Sequence, residues 1–244
     1  MQKQYGLIGF PLSHSFSKKY FEEKFKKDKM RSCVYKNFEI EHISSFPKLI
    51  LEQKNLRGLN VTAPYKQTVI AYLDELDATA KKINAVNCIK ILSDRTIGFN
   101  TDVVGFEKTF LPLVKPHHAK ALILGNGGAT KAVEFVLQKI GIQYLIVSRN
   151  PTINQLHYSD LNAFIKKDFK VIINCTPVGM FPYENECVSI DFDFISSQHL
   201  CYDLIYNPAE TLFLKNAKAK NAIVQNGLPM LIAQAEAAWQ IWNS

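Results

Sequence analysis

At 244 residues the chain can fold as one large domain or two modest ones, each burying its own core. Hydrophobic residues make up 47% and charged residues 21%, which excludes a disordered or fibrous protein. No apolar run approaches the ~20 residues that span a bilayer, so no membrane partner is expected.

Apolar runs alternate with helical patterns from the first residues on, the signature of a parallel α/β architecture. Residues 5–10 read as a buried strand, and 17–27 as a helix whose Tyr20, Phe21 and Phe25 share one face as core. A strand over 33–38, a helix over 43–52 and a strand over 56–61 follow. That last strand runs into Asn60-Val61-Thr62-Ala63-Pro64-Tyr65-Lys66, where Pro64 suits the first turn of a helix reaching residue 73. A short helix over 78–83 and a strand over 85–91 lead to the polar turn Asn100-Thr101-Asp102. A lysine in such a place is most often a solvated surface charge. With a carboxylate on a second polar turn, however, it makes the pair a redox enzyme needs to move an alcohol proton while a hydride leaves.

A second series starts with a helix over 103–111, capped by Asn100 or Thr101, and the boundary between halves is expected near residues 102–105. After Lys115-Pro116-His117-His118 come a strand (121–124), a helix (129–140), a strand (144–148), a polar stretch and a strand (171–174). A strand (200–203), a helix (211–218), a strand (222–224) and a helix (229–242) complete the chain. The expected organisation is a domain over 1–102, a Rossmann-type domain over 103–225, and a final helix over 226–244 returning to the first domain.

Gly125-Asn126-Gly127-Gly128-Ala129 follows a predicted strand and opens a predicted helix, the context a dinucleotide fingerprint requires. Glycines let the backbone turn tightly and approach a pyrophosphate, while the helix N-terminus stabilises its charge. The next strand ends at Ser148-Arg149-Asn150, about 20 residues on, where an acidic residue would read the ribose hydroxyl of NAD. An arginine there suits a 2′-phosphate, so NADP is the expected cofactor. The net charge of +7 also favours anionic ligands. Its lysines crowd one helix end (Lys24, Lys26, Lys27, Lys29, with Arg31) and a polar stretch (Lys166, Lys167), without the aromatic interleaving of a nucleic-acid site; no nucleic-acid partner is expected. Five cysteines (Cys33, Cys88, Cys175, Cys187, Cys201) are scattered and never spaced C-x-x-C. They read as reduced thiols, with no metal site. The N-terminus shows no secretory signal, and a cytoplasmic protein is expected.

Taken together, these motifs resemble those of the shikimate dehydrogenase family nearly end to end. The G-x-G-G-A turn, with Thr130 in place of a third glycine, is the family's variant. The resemblance implies an N-terminal α/β substrate-binding domain and a Rossmann-type nucleotide-binding domain. It implies reversible, NADPH-dependent reduction of 3-dehydroshikimate to shikimate, a step toward chorismate and the aromatic amino acids. Ser13-His14-Ser15-Phe16-Ser17 matches the family's serine motif, and by that match Ser15 and Ser17 bind the substrate carboxylate, while His14 is structural. Thr62, Lys66, Asn87, Asp102, Tyr206 and Gln234 would contact the substrate, with Lys66 and Asp102 catalytic and either of them the proton-transferring base. Gly125, Asn126, Gly127, Gly128, Ala129, Ser148 and Arg149 would hold NADP, and Leu204 and Gly227 would lie against its nicotinamide. The segment from Asn174 to Met180 matches the family's loop beside the cofactor.

Departures from the family pattern are Ser148 for the usual asparagine, Pro151-Thr152 where a second basic residue is usual, and a chain end soon after the Gln234 helix. An NAD-using quinate/shikimate dehydrogenase and a non-catalytic nucleotide-binding relative are the alternatives. The expected state is monomer or homodimer.

Overall fold

A computed structural model describes residues 2–12, 16–161 and 163–244. The chain divides into two compact units, one holding residues up to Thr101 together with Ala235–Ser244, the other Asp102–Gln234.

The first unit is built on a six-stranded sheet ordered β2-β1-β3-β5-β6-β4. Its strands are β1 (Lys3–Gly9), β2 (Cys33–Glu39), β3 (Leu56–Val61), β4 (Glu75–Leu76), β5 (Cys88–Ile91) and β6 (Thr96–Phe99). The strands β1, β2 and β3 are parallel, as the alternation predicts, but β5 runs antiparallel to both β3 and β6. The short strands β4 and β6, parallel to each other, have no long apolar run to announce them. They are held instead by Asp74, whose carboxylate accepts from the N–H and hydroxyl of Thr96 at 2.7 and 2.8 Å.

Helix α1 (Phe16–Lys27) buries Phe21 and Phe25, spaced i and i+4. Those rings join Tyr5, Tyr35 and Trp242 in an aromatic cluster on one face of the sheet. Gly58 on β3 is required by that packing, because any side chain there would run into the Trp242 indole. The indole N–H donates to the Ile89 carbonyl at 3.0 Å. On the other side, α2 (Phe46–Glu52) and α3 (Ala78–Ile83) contribute Phe46 and Ala80 to a second aliphatic cluster.

The helix expected from Pro64 to residue 73 is instead a turn followed by a 3-10 segment, Thr68–Tyr72. The Val86 N–H donates to the Lys66 carbonyl at 2.7 Å, and the Ile70 N–H turns back to Gln67 at 3.2 Å, so the α-helical ladder stops after one turn. Residues 85–87, expected in a strand, lie just before β5.

The second unit carries an all-parallel five-stranded sheet ordered β11-β10-β9-β7-β8. Its strands are β7 (Lys120–Leu124), β8 (Gln143–Val147), β9 (Val171–Asn174), β10 (Leu200–Asp203) and β11 (Ile223–Gln225). The strands β7, β9 and β10 are buried almost throughout, as a parallel sheet covered on both faces demands. Helix α4 (Thr101–Phe110) begins at the unit boundary, and α5 (Thr130–Lys139) buries Ala132, Val133, Val136 and Leu137 on one stripe. Helix α7 (Leu212–Ala219) is capped by Thr211, whose hydroxyl accepts from the Leu214 N–H at 3.3 Å. The polar stretch after β8 contains a short helix, α6 (Ala163–Asp168), that its lysines disguised. The last helix, α8 (Leu228–Asn243), begins in this unit and ends in the first. Among the described residues no helix is long and apolar enough to cross a membrane.

Candidate functional site

In a parallel sheet wound to both sides, the crevice lies where neighbouring strands send their chains in opposite directions. Here that point falls between the C-terminal ends of β7 and β9, and a cleft of about 650 Å³ opens there. Gly125, Asn126 and Gly127 line it from the end of β7, and Ser148, Arg149 and Asn150 from the end of β8. Cys175, Thr176, Pro177 and Val178 line it from the end of β9.

The glycine turn follows local chemistry. Gly125 has φ +99°, a conformation side chains rarely adopt, and a Cβ there would press on Thr176 Cγ2 at 2.7 Å. Its N–H donates to the Val147 carbonyl at 2.7 Å, and its carbonyl accepts the Thr130 hydroxyl at 2.9 Å, so Thr130 ties the turn to α5. A Cβ at Gly127 or Gly128 would meet nothing within 4 Å. The loop therefore faces open space of the kind a pyrophosphate needs. Ala129 is the N-cap residue of α5. Ser148 is buried and accepts the Asn150 N–H at 3.2 Å, while Arg149 is exposed. Tyr158 also lines the cleft; burial raises its hydroxyl pKa, with the Arg149 charge pulling the other way.

The β9 side of the cleft rests on a buried polar network that motif reading passed over. Asn174 Oδ1 accepts from the N–H and hydroxyl of Thr176 at 3.0 and 2.7 Å, and Asn174 Nδ2 donates to Asp203 Oδ1 at 3.0 Å. The same Asp203 carboxylate accepts the Ile205 N–H at 3.0 Å and the Thr211 hydroxyl at 2.6 Å. Asp203 is wholly buried, and burial pushes its carboxyl up to about 6 against the pull of these three donors. Its signal in the sequence was an acidic residue closing the apolar run of β10. Leu204 and Gly227 meet just beyond. A side chain on Gly227 would run into the Leu204 carbonyl, and the Gly227 N–H donates to Ile205 at 2.9 Å. Neither lines the cleft, nor do Gly128 and Ala129. Tyr206 is half-buried on the turn after β10, and burial raises its hydroxyl pKa. Gln234 is buried on α8 and donates to the Leu231 carbonyl at 2.9 Å.

In the first unit the candidate residues lie where β3 and β5 meet the turns beside them. Thr62 and Lys66 flank Tyr65, which is anchored by its hydroxyl on the Ile40 carbonyl at 2.6 Å. The Thr62 N–H donates to Ile8 at 3.0 Å, which fixes the start of the turn. Lys66 is half-buried. Asn87 is buried; its backbone N–H donates to Phe99 at 3.0 Å, and its Oδ1 accepts the Thr101 N–H at 2.6 Å. Asn100, a proposed cap of α4, donates from Nδ2 to the Ala85 carbonyl at 3.0 Å.

A polar chain crosses the ends of these strands. The Tyr35 hydroxyl donates to Asn60 Oδ1 at 2.8 Å, and Asn60 Nδ2 reaches the Asn87 carbonyl at 3.4 Å. Tyr35 is held neutral by burial, its pKa well above the usual range. Asp102 is half-buried in the first turn of α4. Ser15 and His14 lie outside the described residues.

The sequence model described as the shikimate dehydrogenase substrate binding domain matches residues 7–89. A relative from Carboxydothermus hydrogenoformans, named shikimate dehydrogenase (NADP(+)), is 37% identical over 98% of this chain and 90% of its own length. One of the same name from Clostridium beijerinckii is 41% identical over 98% of this chain and 91% of its own length. A crystal structure of a shikimate dehydrogenase in complex with NADP+ superposes with a TM-score of 0.85 at 34% identity, covering 99% of this chain and 90% of that one.

Proposed function

The chain belongs to the shikimate dehydrogenase family, and we propose that its first unit supplies Lys66 and most of the substrate contacts while its second binds the cofactor and contributes Asp102, Tyr206 and Gln234 to the substrate. The protein is an NADP-dependent oxidoreductase that reversibly reduces 3-dehydroshikimate to shikimate, on the route to chorismate and the aromatic amino acids. The observation in the structure that supports the cofactor reading best is the cleft at the switch point, with a glycine turn on one side and Arg149 on the other. Its open space over Gly127 and Gly128 suits a pyrophosphate, and Arg149 offers a planar cation where NAD binders place a carboxylate. The cytoplasm is the compartment inferred from the scattered cysteines.

When bound, NADPH supplies the hydride for the carbonyl carbon. Lys66 donates the proton that the carbonyl oxygen takes up, and recovers it in the oxidative direction. Asp102 accepts a hydrogen bond from a ring hydroxyl and so orients the ring. Thr62 and Asn87 supply neutral donors and acceptors to the remaining hydroxyls, and Ser17, with Ser15, binds the carboxylate. Tyr206 and Gln234 complete the substrate contacts, and Leu204 and Gly227 lie against the nicotinamide. Asn87 suits such a role because its Oδ1 is already fixed by the Thr101 N–H, which orients its amide.

Purified protein given 3-dehydroshikimate should oxidise NADPH, and shikimate should reduce NADP+. Failure with both, alongside turnover of quinate with NAD+, would replace this reading with the NAD-using one.

A further inference from the structure

The turn that carries Arg149 is held by two side chains outside the dinucleotide fingerprint's usual roles. Asn126 projects from the glycine turn and spends its Nδ2 on both the Asn150 carbonyl, at 3.2 Å, and Gln155 Oε1, at 3.0 Å. The same Oε1 accepts the Thr152 N–H at 3.1 Å, and the Gln155 N–H returns to the Thr152 carbonyl at 3.1 Å. Ser148 N–H and Leu156 N–H then stitch the two ends of the loop, donating to Leu156 at 2.9 Å and to Ile146 at 2.8 Å. A short loop is thereby closed on itself and fastened to the glycine turn.

Part of the loop's backbone donor set is committed within the loop or missing. The Asn150 N–H goes to Ser148 Oγ, the Thr152 N–H goes to Gln155, and Pro151 has none. No second basic residue follows Arg149. A phosphate at this strand end therefore meets one cation, the exposed Arg149 guanidinium, whose reach depends on where the loop holds it. A long side chain on an unfastened loop loses affinity to the ordering it must undergo on binding, whereas a fastened loop avoids that cost.

We propose that Asn126 and Gln155 are positioning residues that form a clasp between the glycine turn and the 149–155 loop, presenting Arg149 to the adenosine 2′-phosphate and so setting the preference for NADP over NAD. The proposal rests on the assignment of the cleft to NADP.

Calorimetry on the cofactor-free protein with 2′,5′-ADP and 5′-ADP separates the two. The unmutated protein should prefer 2′,5′-ADP. Gln155→Ala, which lies outside the cleft lining, should weaken 2′,5′-ADP by about three- to tenfold while leaving 5′-ADP within about twofold, the scale of ordering one or two side chains, and Asn126→Ala, which lines the cleft, should weaken 2′,5′-ADP by at least as much. The double variant should be no worse than the poorer single one, since both cut the same clasp. Amide exchange supplies a second readout: the Thr152 N–H should exchange faster in Gln155→Ala but stay slow in Gln155→Glu, which keeps the accepting oxygen. Equal losses for the two nucleotides in Gln155→Ala, additive losses in the double variant, or a preference that survives both alanine changes would overturn the clasp alone. An unmutated protein indifferent to the 2′-phosphate would overturn the NADP assignment and the clasp with it.

Discussion

The two units place their candidate residues by different physical means. In Asp102–Gln234 the sheet is entirely parallel, so strand order alone opens a crevice, and backbone groups at the ends of β7, β8 and β9 converge on it. In the other unit β5 runs against its neighbours, and no topological rule points to a site. The polar side chains there are aligned by one another, through Tyr35, Asn60, Asn87 and Thr101. The first kind of site is suited to holding a large anionic ligand by its backbone-facing parts. The second is suited to setting individual functional groups against a small polyhydroxylated ring. If that contrast is correct, damage to the side chains of the first unit should appear as lost turnover, and damage to the glycine turn or Arg149 as lost cofactor binding.

Lys66→Ala gives the largest expected effect. Removing the group that handles the transferring proton typically costs about 10²–10⁴-fold in kcat. The KM for shikimate should move far less, because the serine, threonine and amide contacts remain, and cofactor affinity should not change. Near-normal kcat would take Lys66 out of the mechanism. Loss of NADP binding would break the division of labour between the units.

Asp203→Ala should act on folding rather than chemistry. It leaves Asn174 Nδ2, the Ile205 N–H and the Thr211 hydroxyl without their buried acceptor, at a cost of about 3 kcal/mol. Asp203→Asn keeps an acceptor oxygen and should cost about 1 kcal/mol. Urea unfolding monitored by exchange of the β9 and β10 amides would show it. An alanine variant of unchanged stability would mean that the network is not what secures the β9 side of the cleft.

How much of this could be read beforehand follows from the same contrast. Strands such as residues 171–174 and 200–203 announced themselves because a doubly covered strand must be apolar along nearly its whole length. The glycine turn was legible because only glycine tolerates the φ that Gly125 adopts. The turn at 64–67 was misjudged because Pro64 suits a helix start locally, while the competing Val86 N–H arrives from 20 residues away. Helix α6 was hidden by its charges, and β4 and β6 by their brevity. Asp203, Gln155 and Asn126 could be seen as residues but not as partners, since nothing in a linear chain says which buried polar groups will meet.

Arg149→Ala should weaken cofactor selection without touching the chemical step. A charge-assisted contact is worth about 1.5–3 kcal/mol, or roughly ten- to over a hundredfold. The arginine is exposed and unaided by a second cation, so the lower end is expected, with an effect that shrinks at high salt. The KM for NADP should rise by about tenfold, the KM for NAD much less, and kcat with saturating NADP should hold. Equal kcat/KM for both cofactors in the unmutated protein would mean that Arg149 does not read the phosphate.

The smallest effect is a pH dependence confined to the second unit, where two buried groups oppose each other. Burial holds the His199 imidazole down at about 4 and, less strongly, lowers His118. Both are kept neutral while the unfolded chain protonates near ~6.5, so their contribution is complete above that value and drains away as pH falls, for His199 toward about 4. Asp203 runs the other way, because its carboxyl is raised to about 6: its contribution is complete below ~3.9 and is lost as pH rises through 6. Between pH 7 and 5, His199 alone would cost about 2 kcal/mol and Asp203 would offset about 1 kcal/mol of it, leaving a shallow decline on acidification. Asp203→Asn removes the offset and should steepen that decline. His199→Asn keeps an oxygen where Nδ1 accepts the Ser196 N–H at 3.1 Å, and removes both the titration and an Nε2 that finds no hydrogen-bond partner among the described residues. It should flatten the decline or reverse it. The measurement is urea unfolding at pH 7, 6 and 5 with exchange of the β10 amides as reporter. Identical slopes in all three proteins would show that neither group titrates with the unfolding of this unit.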